Sequence, residues 1–523
     1  MARVDVTMTN MESAAGPALA RADWLNLLLV GLLAAATRLY RLGDASFWAD
    51  EVFTLKFASL PWSTLWVTPY DASPPLYYST IRLLLDGGTG EWWIRLPSAV
   101  AGTLTVVFAY LAVKRMAGSR AALATALLLA LSVVNIEYSQ EARAYALLGM
   151  WIAVSFFGLA TLEAQSRGGG SVDSFGAFLS RGGIIFGVGT LAALYSHNVA
   201  AFYWIGAQCF FLAWWISRCQ LSRRVLLYWF VVNALVLLLW SPWLLATFDY
   251  IDTGSFAWLR QYEFAQALQV WRNVHGVETG YAVDLFIDAV AFLLAAMGLF
   301  ALRRNLPLAV GLMAMLLVSS LGVWAYGFVG DPVFMRRTIV WGSMFTLMLV
   351  GVAIARLPRL TGGALLLFLV GANAVAVYNY DHYHRAENTD WRSPAALFNE
   401  QGGADDIFLF RTTWHAPGFL HYLAPGQAER RVLGWSCTTR QPLFGRVDEG
   451  EHFSRIAWTE SDPGWANGDI TSSNVWVIDS LCHDKMSIEL SDNWLGQNWI
   501  KASSHGFKGV TLHRWVARRG AAR

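Results

Sequence analysis

Charge is what this sequence has least of: Asp, Glu, Lys and Arg make up 15% of its 523 residues, against about a quarter in an ordinary soluble domain. That shortfall excludes a conventional soluble protein. The charges also nearly cancel, leaving +2. No basic tract with interleaved aromatics is present, so nucleic acid is excluded as a partner. A signal peptide is missing too. The opening "MARVDVTMTNMESAAGPALARADW" is polar and lacks the compact order of basic, apolar and small residues. Residues 1–23 therefore read as a cytoplasmic tail, and the first apolar run as a retained membrane helix. Cysteines number only four. Cys209 and Cys219 lie in or beside an apolar run and read as buried thiols. Cys437 and Cys482 fall in a polar C-terminal region, where export would permit a disulfide without fixing its pairing.

Apolar residues are what the chain has in excess: 55% hydrophobic, with 26 Trp. They gather in runs of about 20, enough at about 1.5 Å per helical residue to cross a hydrocarbon core of about 30 Å. The fold class is a polytopic α-helical membrane protein with eleven spans, about 24–41, 92–113, 121–137, 144–163, 183–197, 199–217, 225–246, 284–302, 306–328, 338–355 and 362–378. Alternate connections carry the basic residues: Lys114, Arg115 and Arg120, then Arg167 and Arg181, Arg218 to Arg224, Arg303 and Arg304, Arg356 and Arg359. The positive-inside rule makes their side cytoplasmic.

The extracytoplasmic side then receives the first outer loop 42–91, the turn Tyr138 to Arg143, the turn at His197, the outer loop 247–283, the turn before span ten and the tail. Two stretches of the first loop, "VFTLKFASLPWSTLWV" and "LYYSTIRLLL", are too short to span and read as interfacial helices. The membrane module covers 24–380. From 381 to 523 a helical "WRSPAALFNEQ" precedes turn-separated β-rich runs "DIFLF", "VWVID" and "GVTLHRWV", which read as a small C-terminal α/β extracytoplasmic domain.

Four stretches on the outer side carry chemistry. "WADEVFT" holds Asp50 and Glu51; "DASPPLYY" holds Asp71 and Tyr78; "NIEYSQEARAYAL" holds Tyr138, Glu141, Arg143 and Tyr145; "GDPVFMRRTIV" holds Arg336 and Arg337. Each has a bland reading. Acids at a helix end are commonly just solvated, the double proline would end an interfacial helix, Glu141 and Arg143 would pair across a turn, and outer-face arginines would snorkel to headgroups. Their collection at one membrane surface is what favours a site.

With "DE" in the first outer loop, "PPLYY" at Pro74–Tyr78, "YSQEARAYAL" at Tyr138–Leu147 and "DWR" at Asp390–Arg392, the chain resembles the GT-C superfamily of membrane glycosyltransferases, in its protein O-mannosyltransferase, ArnT and RgtA-like branch. The resemblance covers roughly residues 24–400. It implies a polyprenyl-phosphate sugar as donor, a glycan or glycolipid as acceptor, and transfer on the extracytoplasmic face of the cytoplasmic (inner) membrane. Many relatives carry His before the double proline, where this chain has Ser73. A divalent metal cofactor therefore stays open, with no ligand set assigned.

The residue types suit that chemistry. A carboxylate takes the acceptor hydroxyl's proton, and arginine's planar fork holds phosphate oxygens. Asp50 matches the superfamily's first-loop acid and is expected to be the base, with Glu51 supporting it. Arg143, with Arg336 or Arg337, is expected to bind the donor phosphate, and Glu141 to orient Arg143. Asp71, Tyr78, Tyr138, Tyr145, His197 and Arg260 are supporting or substrate-contacting candidates, and loop 247–283 a mobile cover. The rivals are a lipid-linked oligosaccharide ligase or polymerase, and a transporter of a lipid-linked substrate. A transporter would place charges near the middle of several spans.

Overall fold

The computed structural model describes residues 20–67, 73–167, 172, 174–251, 259–381, 389–425, 432–435, 442–447, 456–459, 473–480 and 485–518. Asp71, Cys437 and Cys482 lie outside the described residues. The chain divides into two compact units. The larger comprises Met1–Leu42, Ala58–Gly88 and Trp93–Tyr380, and the smaller Gly43–Phe57, Thr89–Trp92 and Asp381–Arg523.

The larger unit is a helical bundle. Ten described helices are long and apolar enough to cross a membrane, and an eleventh crossing is made if the pair Ser119–Leu131 and Val133–Ser139, bent by 60°, counts as one. The chain is thus a multi-pass membrane protein. Its apolar residues face both ways. Leu227, Phe230, Leu238 and Leu245 of the helix Arg223–Ile251 are exposed, while Trp229, Val236 and Trp240 are buried. In water such an outer surface would be unfavourable; against lipid tails it is matched.

With lipid as the surrounding solvent, helices associate through close contact, and small residues permit it. A Cβ at Gly189 would stand 2.6 Å from the backbone nitrogen of Ser155, and one at Gly298 2.0 Å from the carbonyl oxygen of Leu349. These glycines set the crossings of Ile184–Ser196 on Tyr145–Arg167, and of Asp284–Ala301 on Ser343–Arg356.

Three short helices, Ala49–Ala58, Trp62–Val67 and Pro75–Arg82, occupy the first long connection, where the sequence pointed to interfacial helices. The double proline behaves differently from expectation. Pro74 is the N-cap and Pro75 the first residue of the helix Pro75–Arg82, so the pair begins a helix. The fixed φ of proline and its missing N–H suit the first helical turn.

The smaller unit contains a seven-stranded sheet in the order β4-β3-β2-β1-β5-β7-β6. The strands are β1 Ile407–Phe410, β2 Val432–Trp435, β3 Pro442–Val447, β4 Ile456–Thr459, β5 Asn474–Asp479, β6 Trp499–Phe507 and β7 Val510–Ala517. Central β1 runs parallel to β2 and β5, and the outer pairings are antiparallel. Parallel strands covered on both faces read as unbroken apolar runs, which is the pattern of "IFLF" and "VWVI". Phe408, Phe410, Trp476 and Ile478 pack on one face with Phe398 of the helix Arg392–Gln401. Ile407, Leu409, Val475 and Val477 pack on the other with Leu495 of the helix Lys485–Gly496.

Candidate active site

The acid-bearing stretch packs as part of the unit that the C-terminal chain builds. Asp50 and Glu51 occupy the first turn of the helix Ala49–Ala58, and both are buried. The unpaired N–H groups and the dipole of a helix start favour carboxylates there. Glu51 Oε2 accepts from the Trp48 N–H at 3.4 Å, reaching back over the helix start as a capping carboxylate does. Asp50 bonds within the helix through its backbone, its carbonyl accepting from Thr54 Oγ1 at 3.1 Å. Further along, burial pushes the Lys56 ammonium below its usual range. This half-buried cation was missed by sequence reasoning. Its signal was a basic residue in a loop assigned to the outer side, where the positive-inside rule disfavours it.

The strap before this helix is tied to residues 390–422. Trp391 N–H donates to Ser46 Oγ at 3.1 Å, and Arg392 Nη2 donates to the carbonyls of Gly43 and Asp44 at 3.0 and 2.9 Å. Tyr422 Oη accepts from the Phe47 N–H at 2.7 Å and donates to Glu91 Oε1 at 2.6 Å. Arg392 Nε lies 3.0 Å from the same Glu91 oxygen. Burial first, then the neighbouring Glu91, pushes the Tyr422 phenol well above its usual range, so it stays a hydrogen-bond donor.

The membrane unit gathers most of the other candidates. Tyr138 and Tyr145 meet edge to face at 5.4 Å, and Tyr145 lies 5.6 Å from the His197 ring. Val134 and Val340 complete the buried cluster around the two tyrosines. His197 Nδ1 accepts from the Val199 N–H at 3.2 Å, which leaves the proton of the neutral ring on Nε2. Tyr78 is buried on the helix Pro75–Arg82, whose neighbouring Tyr77 hydroxyl lies 2.8 Å from Ser98 Oγ. Ser98 in turn donates to the Arg143 carbonyl at 3.3 Å. The Arg143 side chain is buried, and Glu141 and Arg337 are half-buried. Arg260 is exposed.

Arg336 is held between two carboxylates. Its Nη2 lies 2.6 Å from Glu278 and 3.0 Å from Glu137. Glu278 was not among the sequence candidates, since nothing in its local pattern distinguishes a single acid in a loop. The described part of the segment carrying it, expected as a mobile cover, is tied to its surroundings by hydrogen bonds. Trp271 donates to Ser320 Oγ at 2.8 Å, Val277 N–H to Asp288 Oδ1 at 2.8 Å and Asn379 to the Thr279 carbonyl at 2.6 Å. His275 stacks on Trp271 at 4.7 Å and meets Thr346 Oγ1 at 2.6 Å. Burial lowers its imidazole pKa to about 3, so it is neutral. The cavity beside it, lined by Ser132, Ser343 and Asn373 among others, measures about 20 Å³. That is room for about one water and none for a sugar.

Among the described residues no three His, Cys, Asp or Glu side chains gather into a metal-holding group. No step is assigned to a metal ion.

No protein-family model matches the sequence, and no curated protein does. Solved structures do match. ArnT from Cupriavidus metallidurans in the apo state aligns with a TM-score of 0.57 at 12% identity, over 94% of this chain and 98% of that one. Its structure bound to undecaprenyl phosphate aligns with a TM-score of 0.55 at 14% identity, over 95% and 98%. The Archaeoglobus fulgidus oligosaccharyltransferase tethered with an acceptor peptide aligns at 0.53 and 12% identity, over 94% of this chain and 73% of that one. The chain has the GT-C fold.

Proposed function

We propose that this protein is a glycosyltransferase that moves a sugar from a polyprenyl-phosphate donor to an acceptor hydroxyl on the extracytoplasmic face of the membrane. The observation that carries the reading is Asp50, a buried carboxylate at a helix start, in a chain whose fold matches that of ArnT bound to undecaprenyl phosphate along almost its whole length. A lipid-phosphate donor keeps its tail in the bilayer and its sugar at the surface. The acceptor class favoured is a cell-envelope glycolipid or polysaccharide.

In this reading Asp50 takes the proton of the acceptor hydroxyl as its oxygen attacks the anomeric carbon. The carbon–oxygen bond to phosphate breaks, and the polyprenyl phosphate leaves with the electron pair. One displacement inverts the anomeric centre. The buried guanidinium of Arg143, with Arg337 and Arg336, holds the phosphate oxygens as they gain charge. Glu51, tied to the start of its own helix, supports Asp50 and is no second base. Tyr138, Tyr145 and His197 form a contiguous buried aromatic cluster, assigned in this reading to the sugar or the first isoprene units.

Replacing Asp50 by Asn keeps shape and removes the base, so transfer is expected to fall about 10²–10⁴-fold while undecaprenyl phosphate still binds. Unchanged turnover would sink the assignment. Mass spectrometry of glycolipids from a deletion strain names the product: loss of one sugar residue supports this reading. Loss of a whole oligosaccharide favours the ligase, whose fold relative is the oligosaccharyltransferase.

A further inference from the structure

The polar contacts of the strap leading into the acid-bearing helix have an unusual origin. Gly43, Asp44, Ser46 and Phe47 precede Asp50 by three to seven residues, and each meets a group from residues 391–422. Phe47 is also buried, with its ring 5.6 Å from His421 and edge-on to it. One turn past Asp50, Phe53 meets Trp414 at 6.0 Å. A ten-residue helix is too short to hold its own direction in isolation, so the groups that hold the strap before it and the Phe53 ring set where its first turn points.

From this arrangement we infer that Tyr422 and Arg392 are positioning residues for Asp50, acting through the strap and through Glu91. The inference rests on the assignment of Asp50 as the base. Tyr422 is the centre of the clamp because it works in both directions. Its oxygen takes the Phe47 N–H, and its proton goes to Glu91 Oε1. The second function fixes the first, since a phenol whose proton is committed presents its lone pair in one direction only. Glu91 is shared with Arg392, whose other nitrogen grips the carbonyls at the start of the strap. The three side chains form one connected network from Gly43 to Phe47. In this inference the C-terminal domain aims the base.

The test is Tyr422→Phe, which keeps the ring and removes the hydroxyl, compared with Arg392→Lys and with Ser487→Ala. Ser487 accepts from Trp435 Nε1 at 2.9 Å, so its loss removes a buried hydrogen bond of the same domain and leaves the strap intact. In the full-length protein in nanodiscs, amide exchange of residues 43–56 is expected to quicken for Tyr422→Phe and Arg392→Lys and to stay unchanged for Ser487→Ala. Transfer, read as the glycolipid mass shift found in the deletion strain, is expected to slow about 10- to 100-fold in the first two, the scale of a displaced catalytic group. Affinity for undecaprenyl phosphate is expected to stay within about twofold, because the phosphate-binding arginines are untouched. Unaltered exchange of residues 43–56 in Tyr422→Phe overturns the inference, as does an equal loss of transfer in Ser487→Ala. Should Asp50→Asn keep full turnover, the base assignment fails by itself, and the exchange data still judge the clamp. If Asp50→Asn is inactive while Tyr422→Phe transfers at the normal rate, the base assignment stands and the positioning role falls.

Discussion

Arg336 and Arg411 each lie between two carboxylates, one in the membrane unit and one in the sheet-containing unit. Arg336 meets Glu137 and Glu278; Arg411, just past β1, meets Asp479 at 2.6 Å and also pairs with Asp492. The arrangements differ in burial. The Arg411 side chain is 1% exposed, and that of Arg336 31%. Removing a carboxylate from a guanidinium sealed in a sheet domain leaves buried charge less well paired. One a third open to its surroundings can exchange a carboxylate for another anion at little cost. The same trio of charges therefore serves as a fixed joint in one unit and, in the proposed reading, as an exchangeable phosphate ligand in the other.

Breaking the fixed joint gives the largest effect. Asp479→Ala is expected to destabilise the sheet domain by about 2–3 kcal/mol, below the 3–5 of a fully broken buried pair because Asp492 remains. Urea unfolding followed through amide exchange in β1 and β5 measures it, and a loss below about 1 kcal/mol would contradict a sealed joint. In the membrane unit, Arg336→Gln is expected to leave stability nearly unchanged while weakening undecaprenyl phosphate binding about tenfold, one charge-assisted contact. If binding is unaltered, Arg336 is only a structural ion pair.

Glu278→Gln sharpens the contrast with a smaller change of opposite sign. Freed from one competitor, Arg336 is expected to bind undecaprenyl phosphate up to about fivefold more tightly, the scale of a partly exposed pair. Weaker binding would mean that Glu278 holds the arginine in place for the lipid. The smallest effect is on acid stability. Burial alone would raise the Asp479 pKa, but His513 and Arg411 outweigh it and hold the carboxyl below its usual range. Its contribution is therefore present above the unfolded-state pKa and lost as pH falls through the lower folded one. Exchange in β5 is expected to quicken below about pH 4 in the wild type, and Asp479→Ala to lack that increment.

The legible parts were those written in local pattern. Long apolar runs announced the membrane helices, so the span expected at 144–163 appears as Tyr145–Arg167. The runs "DIFLF" and "VWVID" became the central strands β1 and β5. Other features had no local mark. The 60° bend at Ser132 interrupts a run with neither Pro nor Gly; only the β-branched pair Val133 and Val134 hinted at it. β6, "WIKASSHGF", is a polar edge strand, held by backbone pairing to β7 rather than by an apolar face, and composition does not reveal such a strand.

Within the candidate site, residue types were readable but partners were not. Arg336 stood out as a cation on the wrong side, yet its carboxylates are 199 and 58 residues away. Tyr422 lay in a tail with no nameable motif, and Glu91 is 331 residues from it. Asp50 and Glu51 were already unequal in the sequence reading, but the contact of Glu51 with the Trp48 N–H was not legible there.

That long separation gives the strap a timetable. Phe47 is synthesised 375 residues before Tyr422, an interval of about 20 to 75 s at ordinary translation rates of about 5–20 residues per second. Throughout that time the loop carrying Asp50 has neither clamp nor ring partner from the tail. A nascent or truncated chain therefore holds its membrane helices without an aimed acid. Only a chain completed through Tyr422 has the inferred clamp, which in the proposed reading keeps unfinished copies from spending lipid-linked sugar.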